Sequence, residues 1–78
     1  MIYDKLASIL EDSFGIPAED IRPDTMIIED LAIDSLDLYE LVIAMEEEFA
    51  IEFPQERINE IETIEDVVRI LKEVGVED

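Results

Sequence analysis

Three stretches of the chain repeat their apolar residues at the spacing of one helical face, and the first and the last each meet a glycine suited to ending a helix. In residues 2–14, Tyr3, Leu6, Ala7, Leu10 and Phe14 stand at i, i+3, i+4, i+7 and i+11. Ile2 and Ile9 widen that stripe, and Gly15 suits the left-handed position that closes a helix. From Ser35 to Phe49, the residues Leu38, Leu41, Val42, Met45 and Phe49 gather within about a third of the helical circle. Ile64, Val67, Val68, Leu71 and Val74 repeat the pattern behind Thr63, and Gly75 closes it. The pattern predicts an all-α chain.

The segments between these helices fix the rest of the expected architecture. Residues 15–34 contain Pro17 and Pro23 and hold no sustained period. A connection longer than about 15 residues is uncommon in a compact domain unless something pins it. Ile16, Ile21, Met26, Ile27, Ile28 and Leu31 are able to reach into the core for that purpose, and Pro17-Ala18-Glu19-Asp20 suits one short helical turn. After Phe49, Ala50 to Gln55 reads as a turn around Pro54 anchored by Phe53, and 55–60 as a short helix with Ile58 and Ile61 on its buried side. The expectation is a small antiparallel helical bundle of three main helices plus one short helix, with a long loop between helices one and two. Asp34 is placed to cap the second main helix through an amide near Asp37, and Thr63 with Asp66 fits a capping box at the last.

Charge narrows the partners. Asp and Glu number 23 against 5 Lys and Arg, a formal charge of −18, and no basic residue occurs from Asp24 through Glu56. Such a field repels nucleic-acid backbones and anionic membrane surfaces and speeds encounter with basic protein patches. An apolar content of 49% with no cysteine leaves hydrophobic packing to hold one small domain spanning residues 1–78. No apolar run is long enough for a membrane span, and the start of the chain lacks the basic-then-apolar pattern of a signal peptide. The expected setting is cytoplasmic and the expected state monomeric.

Ser35 stands at the first helical position behind Asp34, so its hydroxyl is free of capping duty. Serine nucleophiles normally need a base, most often His, and the chain has no His and no Cys, while Lys5 and Lys72 belong to other helices. Catalysis has no support in the sequence. Zinc ligands are absent for the same reason, and Glu46, Glu47 and Glu48 offer divalent cations only a loose electrostatic attraction, so no specific metal site is expected. Ser35 reads instead as a point of attachment. Opposite the core stripe of its helix, Leu36, Tyr39 and Ile43 interleave with Glu40 and Glu47. That apolar and acidic face is either a docking surface or an ordinary scatter of exposed apolar residues.

The segment Asp30-Leu31-Ala32-Ile33-Asp34-Ser35-Leu36-Asp37, continuing through Glu40-Leu41 and Glu46-Glu47-Glu48-Phe49, resembles the acyl carrier proteins of dissociated, bacterial-type fatty acid synthesis. The likeness runs over almost the whole chain. It implies that Ser35, within the Asp34-Ser35-Leu36 motif, receives 4′-phosphopantetheine from coenzyme A, and that acyl groups ride as thioesters on the terminal thiol. It implies partners in a phosphopantetheinyl transferase and in synthesis enzymes with basic docking patches. Leu36, Asp37, Tyr39, Glu40, Ile43, Glu47 and Glu48 match positions that meet those enzymes. It further implies that the acyl chain folds back between the helices, against Val42, Met45, Phe49, Ile51, Ile58, Ile61 and Leu71.

Three positions depart from the familiar pattern. Ala32 and Ile33 stand where Gly and Ala are usual, and Tyr39 is larger than the common Val. A positive φ at position 32 would cost Ala on the order of 1 kcal/mol, and Ile33 is expected to add bulk beside the prosthetic arm. Carriers of polyketide, aminoacyl or D-alanyl groups share the same pattern. A reading of another class, an unmodified acidic interaction module, would leave Ser35 as a helix-start residue alone.

Overall fold

A computed structural model describes all 78 residues. Its main helices are α1 (Ile2–Phe14), α2 (Ser35–Phe49) and α3 (Ile64–Glu73), with 3₁₀ turns at Ala18–Asp20 and Gln55–Glu60. α1 packs against both α2 and α3. Its stripe buries Ile2, Leu6, Ile9 and Leu10, with Tyr3, Ala7 and Phe14 half-buried at the edges. Gly15 ends α1 at φ 67°, where its amide donates to the Glu11 carbonyl at 3.0 Å. α2 buries Leu38, Leu41, Val42 and Met45, while Phe49 is only partly covered.

In α3 the buried residues are Ile64, Val67, Ile70 and Leu71, so the face is turned from the expected stripe. Ile70 is fully buried, and Val68 and Val74 are half-exposed at the rim. The capping box forms as expected. The Asp66 amide donates to Thr63 Oγ1 at 3.2 Å, and the Thr63 amide donates back to Asp66 Oδ2 at 3.0 Å.

The long loop is pinned in two ways. Ile21 and Ile27 are buried as apolar anchors, Met26, Ile16 and Leu31 are half-buried, and Ile28 departs from expectation by remaining exposed. Backbone pairing with the entry to α3 does the rest. The Ile27 amide donates to the Glu62 carbonyl at 2.9 Å, and the Ile64 amide donates to Thr25 at 3.1 Å, around an antiparallel bridge between Met26 and Thr63. The Glu65 amide reaches the Pro23 carbonyl at 2.9 Å. Thr25, the one buried polar residue, accepts the Arg22 amide on its hydroxyl at 2.8 Å. Tyr3 ties α1 to the same loop, its hydroxyl donating to the Ile21 carbonyl at 2.7 Å. These bonds satisfy backbone groups that an irregular segment would otherwise strand against the core.

Candidate attachment site

Asp34 sets the geometry at the head of α2. Its extended backbone and its Oδ1, which accepts the Asp37 amide at 2.8 Å, start the helix with Ser35 as its first residue. The Asp34 carbonyl accepts the Leu38 amide at 2.9 Å, closing the first turn. Ser35 is exposed. Because Asp34 caps, the Ser35 hydroxyl is left to solvent, and the first-turn amides of Ser35 and Leu36 have no intrahelical acceptor. Polypeptide leading into this turn is sharply folded. Asp30 Oδ2 accepts the Met26 amide at 2.9 Å, and Ala32 takes φ 56°. The left-handed residue brings Ile33 back toward the protein, where it is 3% exposed and its amide meets the Ile27 carbonyl at 3.4 Å. Ile33 is therefore a core residue and adds no bulk beside Ser35.

A groove of about 430 Å³ opens next to Ser35. Ile28 from the loop, Leu38 and Tyr39 from α2, and Gln55, Glu56, Ile58 and Asn59 from the short helix line it, with Ile61 at its end. Residues three apart eclipse in a 3₁₀ helix, so Gln55, Ile58 and Ile61 share one edge. The spacing already puts Ile58 and Ile61 on the buried side of the short helix, and the 3₁₀ repeat adds Gln55 to the same edge. Of the seven residues expected to line one acyl cavity, only Ile58 and Ile61 reach this groove. Val42, Met45 and Leu71 are buried in the closed core. Phe49 and Ile51 border a separate cleft with Met1, Ile2, Lys5 and Val76, where the Lys5 ammonium lies 5.9 Å from the Phe49 ring centre.

Leu36, Tyr39 and Ile43 are 69%, 53% and 54% exposed, so the outer stripe of α2 is open to solvent. Glu40 is exposed beside them and Asp37 is half-buried. Glu47 and Glu48 sit further round, bordering a shallow groove with Ile9, Asp12 and Ser13 of α1. Glu46 separates from its two neighbours. Its Oε2 accepts the Phe53 amide at 2.8 Å and fixes the turn after α2. No three carboxylates are grouped to hold a metal ion.

The model of the family described as "phosphopantetheine attachment site" matches residues 4–71. The chain belongs to that family. Members of the phosphopantetheine attachment family are carriers rather than catalysts, and their prosthetic group is 4′-phosphopantetheine. An acyl carrier protein of Clostridium acetobutylicum is 42% identical over 72 residues, covering 92% of this chain and 94% of that one. One from Nitratidesulfovibrio vulgaris is 39% identical over 71 residues, covering 91% and 93%. The crystal structure of an acyl carrier protein from Thermotoga maritima superposes with a TM-score of 0.82 at 26% identity, covering 94% of this chain and 85% of that chain. The all-α fold is thus the fold of a known carrier. No helix here is long and apolar enough to cross a membrane.

Proposed function

We propose that this chain, as one monomeric cytoplasmic domain over residues 1–78, carries acyl intermediates of fatty acid synthesis as thioesters on a 4′-phosphopantetheine arm joined to Ser35. The observation that carries the reading is the placement of Ser35. Its hydroxyl is exposed, relieved of capping by Asp34, and next to a groove with an apolar wall. The names of the Clostridium acetobutylicum and Nitratidesulfovibrio vulgaris relatives support the acyl cargo.

The surroundings of Ser35 fit such a group. A phosphodiester on its Oγ would lie at the positive end of α2, where the first-turn amides and helix dipole offset the repulsion of Asp34 and Asp37. Ile28, Leu38, Tyr39, Ile58 and Ile61 offer apolar contact to an arm or cargo lying in the groove, and Gln55 and Asn59 offer hydrogen bonds to amides. The bound group supplies a thiol for thioester formation, a nucleophile this cysteine-free chain lacks. The protein's own task is to hold the attachment point open to partner enzymes and to give cargo an apolar wall.

Leu36, Tyr39 and Ile43, flanked by Asp37 and Glu40 and continued by Glu47 and Glu48, form the docking face for a phosphopantetheinyl transferase and for synthesis enzymes with basic patches. Steered, short-lived contacts suit a carrier that visits several enzymes in turn.

Intact mass after incubation with coenzyme A and a broad-specificity transferase tests the attachment. One phosphopantetheine on the wild type and none on Ser35→Ala is the expected result, and an unmodified wild type that is correctly folded overturns the carrier reading. Cargo isolated with the native protein tests the pathway. A ladder of acyl masses spaced by two carbons is expected, whereas an aminoacyl or D-alanyl mass moves the carrier to another pathway.

A further inference from the structure

Gln55, Glu56, Ile58 and Asn59 of the short helix form one wall of the groove beside Ser35, yet Ile58 is the only residue of that helix to be buried. Buried Phe53 and Ile61 anchor its two ends, and a polar contact holds its exposed side. Arg57 makes that contact from within the same helix. Its Nη2 lies 3.1 Å from Glu60 Oε1 and its Nε donates to both Glu60 oxygens, while Nη1 reaches Glu73 Oε1 at 2.7 Å, in the last turn of α3. Glu73 Oε2 is 3.6 Å from Arg69 Nε, and Arg69 Nη1 meets Asp66 Oδ1 at 2.9 Å. Two of the 5 basic residues of the chain are thus spent on one run of four carboxylate contacts.

Glu73 makes the arrangement informative. A carboxylate at the C-terminal end of a helix faces the negative end of the dipole and is unfavourable there alone. Bridging by Arg57 and Arg69 compensates it. The Arg57 guanidinium is held in its charged form by Glu60 and Glu73, and the Glu60 carboxyl is lowered from its usual value chiefly by its hydrogen bonds with Arg57. A fork engaging two carboxylates on different elements is geometrically specific, unlike a single exposed pair.

We infer that Arg57 is a latch: by joining Glu60 to Glu73 it fixes the short helix to the end of α3 and sets how far the groove beside Ser35 opens. The consequence for cargo rests on Ser35 being the attachment point, whereas the latch itself does not. Salt separates the latch from the rest of the fold. At about 1 M the Debye length is about 3 Å, which weakens these part-exposed pairs, while the same salt relieves repulsion among the remaining carboxylates. The short helix loosens as the bundle tightens.

Amide hydrogen exchange on the full chain tests the latch, on the wild type at 0.05 M and 1 M salt and on Arg57→Gln, Glu73→Gln and the double variant. In Arg57→Gln the amides of residues 57–61 are expected to exchange about fivefold faster, with α1 amides changed by less than about twofold. The double variant should exchange no faster than Arg57→Gln, because the Arg57–Glu73 contact that joins the two elements is already lost in the single variant. In the wild type, high salt should speed exchange at 57–61 and slow it in α1. Unchanged exchange at 57–61, or a rise spread evenly over the chain, overturns the latch. On protein loaded with a hexanoyl thioester, hydroxylamine should cleave Arg57→Gln about fivefold faster, and an equal rate overturns the control of the groove. A chain that shows the local rise but takes no prosthetic group keeps the latch and overturns the reading of Ser35.

Discussion

Ala32 and Ala50 both hold φ 56°, a conformation in which the Cβ of an L-residue crowds its own backbone. Each does structural work, Ala32 at the fold before Ser35 and Ala50 at the close of α2, where its amide donates to the Glu46 carbonyl. Both side chains are exposed, so little packing is lost on removing the methyl. Ala32→Gly and Ala50→Gly are each expected to raise stability by roughly 0.5–1 kcal/mol, the relief of strain exceeding the entropy that Gly adds to the unfolded chain. Urea midpoints read this directly, and a fall at either position would show that the methyl packs after all. Ile33 behaves oppositely. Buried among Ile27 and its neighbours, it should cost about 2–4 kcal/mol when replaced by Ala. Composition does not distinguish Ile28 from Ile33 as apolar residues flanking the motif. Which one turns inward is decided by the Met26–Asp30 bonds and the left-handed Ala32, and only a backbone trace reveals them.

At the scale of elements, the three main helices were legible from their apolar stripes, reinforced by the Gly15 stop of α1, the Asp34 cap of α2 and the Thr63 cap of α3. Asp34 and Thr63 cap where side-chain chemistry says they should. The exact face of α3 was less legible, since Val68, Ile70 and Val74 are all apolar and the wheel alone leaves the seam a residue wide. Harder still was the loop, whose hold on Glu62, Ile64 and Glu65 is made by backbone atoms that every residue carries. Asp66 stands where these threads meet, accepting the amides of both Glu62 and Thr63 and pairing with Arg69. Burial works to raise its carboxyl, but the Thr63 amide, Arg69 and the Glu62 amide outweigh it, and the net direction is downward from 3.8. A carboxyl lowered in the folded state adds stability that is present above its unfolded value and lost as pH falls through the folded one. Asp66→Asn is therefore expected to flatten the loss of stability on acidification below about pH 4. Denaturant titrations of both proteins at pH 7 and pH 3 check this, and equal slopes would assign the acid sensitivity elsewhere. Thr63→Ala removes the cap at the same junction and should cost about 1 kcal/mol at neutral pH.

The whole molecule is small on the scale of its own field. Its principal extents are 27 × 24 × 20 Å, and it carries a formal charge of −18. At 0.01 M salt the Debye length is about 30 Å, longer than the protein, so each carboxylate acts on every other; at 0.1 M it is about 10 Å and only neighbours are felt. The charges that attract are concentrated in one place, since Arg57, Arg69 and Lys72 all pair around the end of α3. Over α2 the acidic residues have no cation among their chain neighbours from Asp24 to Glu56. Unfolding spreads this charge over a chain more than twice as wide, so repulsion favours the unfolded state most strongly where screening is weakest. The melting temperature is accordingly expected to rise between 0.01 M and 0.5 M sodium chloride, with most of the gain below about 0.1 M, where the Debye length falls through the dimensions of the molecule. Thermal melts monitored by helix content measure it. A melting temperature independent of salt would mean that repulsion among the carboxylates does not limit the fold, and a fall would mean that the pairs around Arg57 outweigh the repulsion of the rest.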